Sequence, residues 1–211
     1  MTEPTIRRAQ RLLLCAAGGY DCYHLPGFVL SLLRHCADDV QVVMSRAAAK
    51  LVSRFAVEAA SRHRVYVEID DQGPDVFVPH IELGRGVDLV LVYPATANIV
   101  GKVAQGIADE LISALILATT APVFFVPVAN PAMWAHPAVR RNLRTLREDG
   151  YVVLEPLTAV EVATREGLEE IGPFPLPTLL PQMFAALGSR PGMGVARRED
   201  ASPGESSDGG T

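Results

Sequence analysis

Two apolar runs, each emptying into a loop of prolines, alanines and an asparagine, constrain this chain more than anything else in it. The first, Val87–Tyr93, leads into Pro94-Ala95-Thr96-Ala97-Asn98. The second, Val123–Val126, leads into Pro127-Val128-Ala129-Asn130-Pro131-Ala132-Met133-Trp134. A run that is nearly continuous in Val and Leu, without polar alternation, reads as a strand covered on both faces, as in a parallel sheet. Between the loops, apolar residues fall at 99, 100, 103, 104, 107, 108, 111, 112, 115 and 116. That spacing predicts an amphipathic helix of about five turns, with Asn98 as its N-cap. In open α/β sheets the ligand crevice lies beyond the carboxyl ends of the strands. Both loops, and His80 ahead of the first run, are therefore expected to face one pocket.

The rest of the chain repeats the alternation. Arg11–Ala17 is a short strand-like run closed by Gly18-Gly19, and a helix is expected from Leu25 to Cys36. Glycine at such a turn lets backbone N–H groups approach a phosphate, although Gly-Gly is also an ordinary turn and no G-x-G-x-x-G fingerprint is present. Val40–Met44 is a second strand, followed by Ser45 and a helical segment Ala47–Ala60. The Ser45 hydroxyl could cap that helix or donate to a phosphate. Val65–Ile69 is expected as a third short strand, Pro137–Glu148 as a helix stopped by Gly150, and Tyr151–Leu154 as the last strand. Alternating strands and helices predict a single α/β domain over residues 1–187: a Rossmann-like (flavodoxin-like) parallel sheet with helices on both faces. Within it, 157–187 is a proline-rich arm, with Pro173, Pro175, Pro177 and Pro181 marking a stretch that reads equally as a substrate clamp or a structural arm. Residues 188–211, rich in Gly, Ser, Pro and acids, are expected to be a disordered tail.

Composition narrows the function. A net charge of −5 argues against a phosphate-backbone footprint, and Arg140, Arg141, Arg144 and Arg147 read as a solvated helix face. No apolar stretch reaches the ~18 residues a membrane span requires, and Met1–Gln10 has no signal-peptide core, so a cytoplasmic protein is expected. Cys15, Cys22 and Cys36 are odd in number, lack metal-ligand spacing and read as buried thiols; no cysteine follows Cys36. No P-loop, H-E-x-x-H or Ser-His-Asp order is present. His24, His35, His63 and His136 read as surface or packing histidines, and His80 differs in preceding a strand whose far end enters the expected pocket, with a packing role still open to it. Asn98 and Asn130 can donate to a carboxylate or a carbonyl and accept from an N–H, or simply cap helices.

Taken together, the motifs resemble the homo-oligomeric flavin-containing cysteine decarboxylases. Pro94-Ala95-Thr96-Ala97-Asn98 matches the family's P-A-S-A-N-type motif, and Gly101-Lys102, Gly106-Ile107-Ala108-Asp109 and Leu117-Ala118-Thr119 match its continuation. Pro127, Asn130, Met133 and Trp134 match P-x-M-N-x-x-M-W, and His80-Ile81-Glu82-Leu83 matches the segment carrying the catalytic histidine. The resemblance covers about residues 11–156. It implies a flavin, FMN or FAD, held by Gly18, Gly19, Tyr20, Ser45, Pro94, Ala95, Thr96, Ala97, Asn98 and Thr119. It implies trimers, with dodecamers possible, and flavin at the subunit interface, so that each site needs two chains. His80 would take the thiol proton as a hydride leaves Cβ for the flavin, and Asn130 would hold the departing carboxylate, with Met133 and Trp134 also on the substrate.

Two branches of the family fit. Phosphopantothenoylcysteine decarboxylases re-reduce the enethiol using a late cysteine, and the corresponding region near Glu170-Ile171-Gly172-Pro173 has none. The resemblance therefore points to the lantibiotic-type peptidyl-cysteine decarboxylases, which stop at the aminoenethiol of a precursor peptide and lead to an S-aminovinyl-cysteine ring. Ala129 stands where the family has its first Met in P-x-M-N. The coenzyme A branch, a flavin prenyltransferase and a non-catalytic flavin-binding regulatory subunit are the alternatives.

Overall fold

The computed structural model describes residues 9–154, together with 157–158, 179 and 182–183. Its centre is a parallel sheet: β1 (Ala9–Ala16), β2 (Ala37–Met44), β3 (Leu89–Ala95), β4 (Val123–Ala129) and β5 (Val152–Val153) lie in the order 2-1-3-4-5. A further pair of residues, β6 (Leu157–Thr158), continues alongside Val128 and Ala129 at the end of β4.

Both faces are buried, which is why the strands read as unbroken apolar runs. Leu12, Leu14, Leu91, Tyr93, Phe124 and Val126 point to one face, under α1 (Leu25–His35) and the helices after β2. Leu13, Cys15, Val90, Val92 and Phe125 point to the other, under the helices between β3 and β5. Leu179 and Met183 of the arm are buried in the first cluster; 172–178, 180–181 and 188–211 lie outside the described residues. No helix among the described residues is long and apolar enough to cross a membrane.

Four local readings are corrected. The helix expected over Ala47–Ala60 is two helices, α2 (Ala48–Leu51) and α3 (Arg54–Ser61), because Val52 and Ser53 are extended between them. A one-turn α4 (Pro79–Glu82) then precedes β3. The five-turn helix is also two, α5 (Ala97–Ala104) and α6 (Leu111–Ala118). Gly106 at φ +68 ends the first, and Lys102 Nζ, 2.8 Å from Asp109 Oδ1 and 2.7 Å from Glu110 Oε1, braces the turn. The N-cap of α5 is Thr96, not Asn98, which sits exposed in its first turn. Finally, Val65–Ile69 contributes only a bridge between Tyr66 and Val43 rather than a strand. After β4 come α7 (Pro131–Ala135) and α8 (Pro137–Glu148), with Gly150 at φ +90 just beyond.

Candidate functional site

The order 2-1-3-4-5 has its switch point between β1 and β3, where the chain leaves neighbouring strands in opposite directions and opens a crevice. The loop after β1 fills that point. A Cβ on Gly18 would lie 2.2 Å from Ala47 Cβ and 3.0 Å from the Ala47 carbonyl carbon. One on Gly19 would lie 3.0 Å from Pro94 Cγ and 3.6 Å from Thr96 Cγ2. Gly18 is thus pressed against the segment following β2, and Gly19 against the last residues of β3 and Thr96 just beyond. The structure brings Gly18, Gly19, Pro94 and Thr96 together, with Ser45 two residues before Ala47.

The notch is held from below. Ala17 N–H donates to the Pro94 carbonyl (3.2 Å), Ser45 N–H to the Ala16 carbonyl (2.9 Å), and the Cys22 thiol to the Ala17 carbonyl (3.0 Å). Burial pushes that thiol up to about 12, so Cys22 stays a neutral donor. Burial likewise raises the Asp21 carboxyl, against the opposing pull of its own N–H and of His24. All three cysteines are buried and free. The Ser45 hydroxyl accepts from Ala48 N–H at 3.1 Å, so it performs the capping role. The N–H groups of Gly18 and Tyr20 bond to no described residue, and the Tyr20 ring, half exposed, leans on Tyr23 at 4.8 Å. A notch with no room for side chains and with bare backbone donors fits a phosphorylated cofactor. The family's flavin would lie against Gly18, Gly19, Pro94 and Thr96.

Asn130 stands at the end of β4 and caps α7: its Oδ1 accepts from Met133 N–H at 2.8 Å. That bond fixes the amide orientation, because a backbone N–H can be met only by the oxygen. The NH₂ group is left as a pure donor, the form suited to a carboxylate. Beside it, Ala132, Met133, His136 and Val139 line an open apolar depression of about 410 Å³, while Trp134 packs on the second core cluster.

Among the described residues, the extensive packing of the turn that carries His80 is on a helix beyond β3 rather than on β1 or β3. That turn is α4, which packs on α6, and Gly84 just beyond accepts from Thr119 Oγ1 at 3.2 Å. Thr119, expected on the cofactor, makes that bond and accepts from Ala121 N–H just before β4 begins, whereas Gly18 follows the end of β1. His80 Nδ1 is buried without a hydrogen-bond partner among the described residues. Phe77 (65% exposed), Val78 and Ile81 surround it as an uncovered apolar patch. Sequence reasoning assigned Glu82 no task, yet its two carboxylate oxygens accept from Phe77 N–H (3.0 Å) and Val78 N–H (3.2 Å). Only its fixed distance from His80 could have hinted at this.

Strand order, switch-point crevice and glycine notch define a flavodoxin-like α/β protein built to hold a phosphorylated cofactor. The chain belongs to the Flavoprotein family, whose model matches residues 1–174. The coenzyme A biosynthesis bifunctional protein CoaBC of Bacillus subtilis (strain 168) is 41% identical over 148 residues, which cover 70% of this chain and 36% of that protein. The chain thus spans about a third of the length of the curated relatives it matches. Among solved structures, the FMN-dependent cysteine decarboxylase SpaF superposes with a TM-score of 0.66 at 32% identity, over 76% of this chain and 96% of SpaF. A cysteine-to-serine mutant of PPC decarboxylase, complexed with pantothenoylaminoethenethiol, superposes with a TM-score of 0.62 at 27% identity, over 74% of this chain and 87% of that one.

Proposed function

We propose that this protein oxidatively decarboxylates the C-terminal cysteine of a ribosomal precursor peptide to an aminoenethiol, the precursor of an S-aminovinyl-cysteine ring. The observation that carries the choice of product is the absence of any cysteine after Cys36. In the PPC decarboxylase neighbour, replacing one cysteine by serine accompanies a bound enethiol. A chain with no such cysteine has no thiol with which to return the enethiol to a saturated thiol.

A flavin held against Gly18, Gly19, Pro94 and Thr96 would supply the two-electron oxidation of the cysteine side chain. The protein's own groups do the rest. His80 takes the thiol proton, so that sulfur becomes doubly bonded to Cβ as the hydride departs. Asn130 Nδ2 donates to the carboxylate and holds it until CO₂ leaves. The electron pair of the broken C–C bond passes to sulfur, and the enethiolate regains one proton. In this reading the base of one chain serves the notch of a neighbour, in a homo-oligomer closed over the exposed Phe77, Val78 and Ile81. A trimer is the simplest such assembly, and FMN, as in SpaF, the simplest cofactor.

Incubating the yellow protein with cysteine-terminated peptides should lower the peptide mass by about 46 Da, one CO₂ and two hydrogens. The match to CoaBC favours a second reading, decarboxylation of a phosphopantothenoyl-cysteine, which removes CO₂ alone. A loss of about 44 Da from that substrate, with no reaction on any peptide, would establish it instead.

A further inference from the structure

We infer that Glu82 is a positioning residue for His80, acting by lashing together the loop in which the imidazole stands. The inference rests on the reading of His80 as the base. A single helical turn is too short to persist on its own, since nucleation fixes several residues for one hydrogen bond. The α4 turn also begins badly: its N-cap, Val78, has no side-chain acceptor for the free N–H groups there. Glu82 supplies both acceptors from the far end of the same turn. Oε2 takes Phe77 N–H and Oε1 takes Val78 N–H, at 3.0 and 3.2 Å. The carboxylate thereby closes a ring of chain around Pro79, His80 and Ile81, in the manner of a capping-box glutamate reaching back.

The other side of the ring is already fixed. Pro79 and Leu83 are buried, and Thr119 holds the Gly84 carbonyl. His80 is therefore restrained after the turn by packing, and before it by Glu82 together with the Gln72 Nε2 donation to the Phe77 carbonyl at 3.3 Å. Its Nδ1 meets no described group that could orient the ring by a direct bond, so ring placement depends on where the backbone turn sits. A base displaced by about 1 Å loses on the order of 100-fold in rate. Glu82 thus governs the proton transfer without touching substrate or cofactor.

The test uses the flavin-loaded oligomer and the variants E82A, E82D, E82Q, H80N and E82A/H80N. E82A should lower kcat about 30-fold with KM and flavin content held within about 3-fold. E82Q, whose single amide oxygen can accept from only one of the two N–H groups, should recover part of the rate. E82D, one methylene short of both N–H groups, should lie between them and serves as the working variant if E82A does not assemble. In the H80N background, E82A should cost less than about 2-fold more, because there is no base left to place. Hydrogen exchange should rise over 77–84 in E82A and stay unchanged over 12–16. Wild-type kcat in E82A, the same fold loss with and without His80, or a loss confined to flavin content would overturn the role of Glu82. An H80N protein as fast as wild type would instead overturn the reading of His80 as the base.

Discussion

Gly18→Ala is the sharpest perturbation of the notch. The added methyl would sit 2.2 Å from Ala47 Cβ, 3.0 Å from its carbonyl carbon and 3.1 Å from its Cα. Carbon atoms are in comfortable contact at about 3.5–4.0 Å, so the segments after β1 and β2 must part by more than an ångström, and two of the three neighbours are backbone. No flexible side chain can yield. Overpacking of this kind costs about 1–3 kcal/mol, and the rigidity of the neighbours puts this site at the upper end. For a domain of this size that is a fall in Tm of roughly 6–10 °C. Gly19→Ala is milder, since its nearest atoms at 3.0 and 3.1 Å belong to the Pro94 ring. The expected order of apo-protein melting is wild type, then G19A, then G18A. Flavin affinity, read by quenching of free flavin fluorescence, should weaken at least tenfold in G18A, because the donors of Gly18 and Tyr20 move with the loop. Ala47→Gly removes the closest clash and should return about half of the loss in the G18A background. A G18A protein that melts within a degree of wild type and binds flavin equally well would refute the close approach and, with it, the placement of the cofactor there.

Asn130→Asp retains the α7 cap but replaces the NH₂ donor with an anion, so the fold should survive while kcat drops about 100-fold or more, whereas Asn130→Ala also loses about 1 kcal/mol of helix capping. Mixing equal amounts of inactive N130D and H80N chains under exchange conditions should restore about a quarter of wild-type activity, since one interface in four pairs an intact base with an intact amide; no recovery would place both residues in one chain. Lys102→Met should cost about 1 kcal/mol through the turn at Gly106, measured by urea unfolding. The Asp109 carboxyl is held below its ordinary range by Lys102, so its share of that stability is present above the unfolded value near 4 and fades as pH falls through the lower folded one. The Lys102 ammonium is raised by Asp109 and then Glu110, so its share is present below about 10.5 and is lost at higher pH. The gap between wild type and K102M should accordingly be widest between about pH 5 and 9 and shrink on either side.

The sheet was legible because its strands are buried on both faces, and β3 and β4 announce themselves as unbroken apolar runs. α8 was equally plain, with Pro137 to open it and Gly150 to close it. The long helix misled because its apolar spacing continues at helical period straight through Gly106, and periodicity cannot see a chain that stops and restarts in phase. Val52 and Ser53 hid the break between α2 and α3 for the same reason: neither is a strong breaker, and tertiary packing decides there. At the site, Gly18-Gly19 was a weak signal until the fold showed what stands opposite each glycine. Asn130 capping and ligand binding had seemed rival uses, but the cap engages only Oδ1 and leaves the NH₂ group for the proposed role.

His80 shows most clearly what pattern reasoning lacks. Its position before β3 suggested a place in the crevice, and the connection from α4 to β3 is tied at Gly84 by Thr119. A half-buried imidazole with an unmet nitrogen, ringed by exposed Phe77, Val78 and Ile81, is an unfinished surface in one chain. Burying those three side chains releases apolar area worth several kcal/mol, and the same contact would carry the imidazole to another chain's notch. On the proposed trans arrangement, assembly and catalysis would be one event, since a cofactor site would gain its base only when a neighbour's apolar patch closes over it. An isolated chain should keep the notch, and so bind flavin, while doing no chemistry with it.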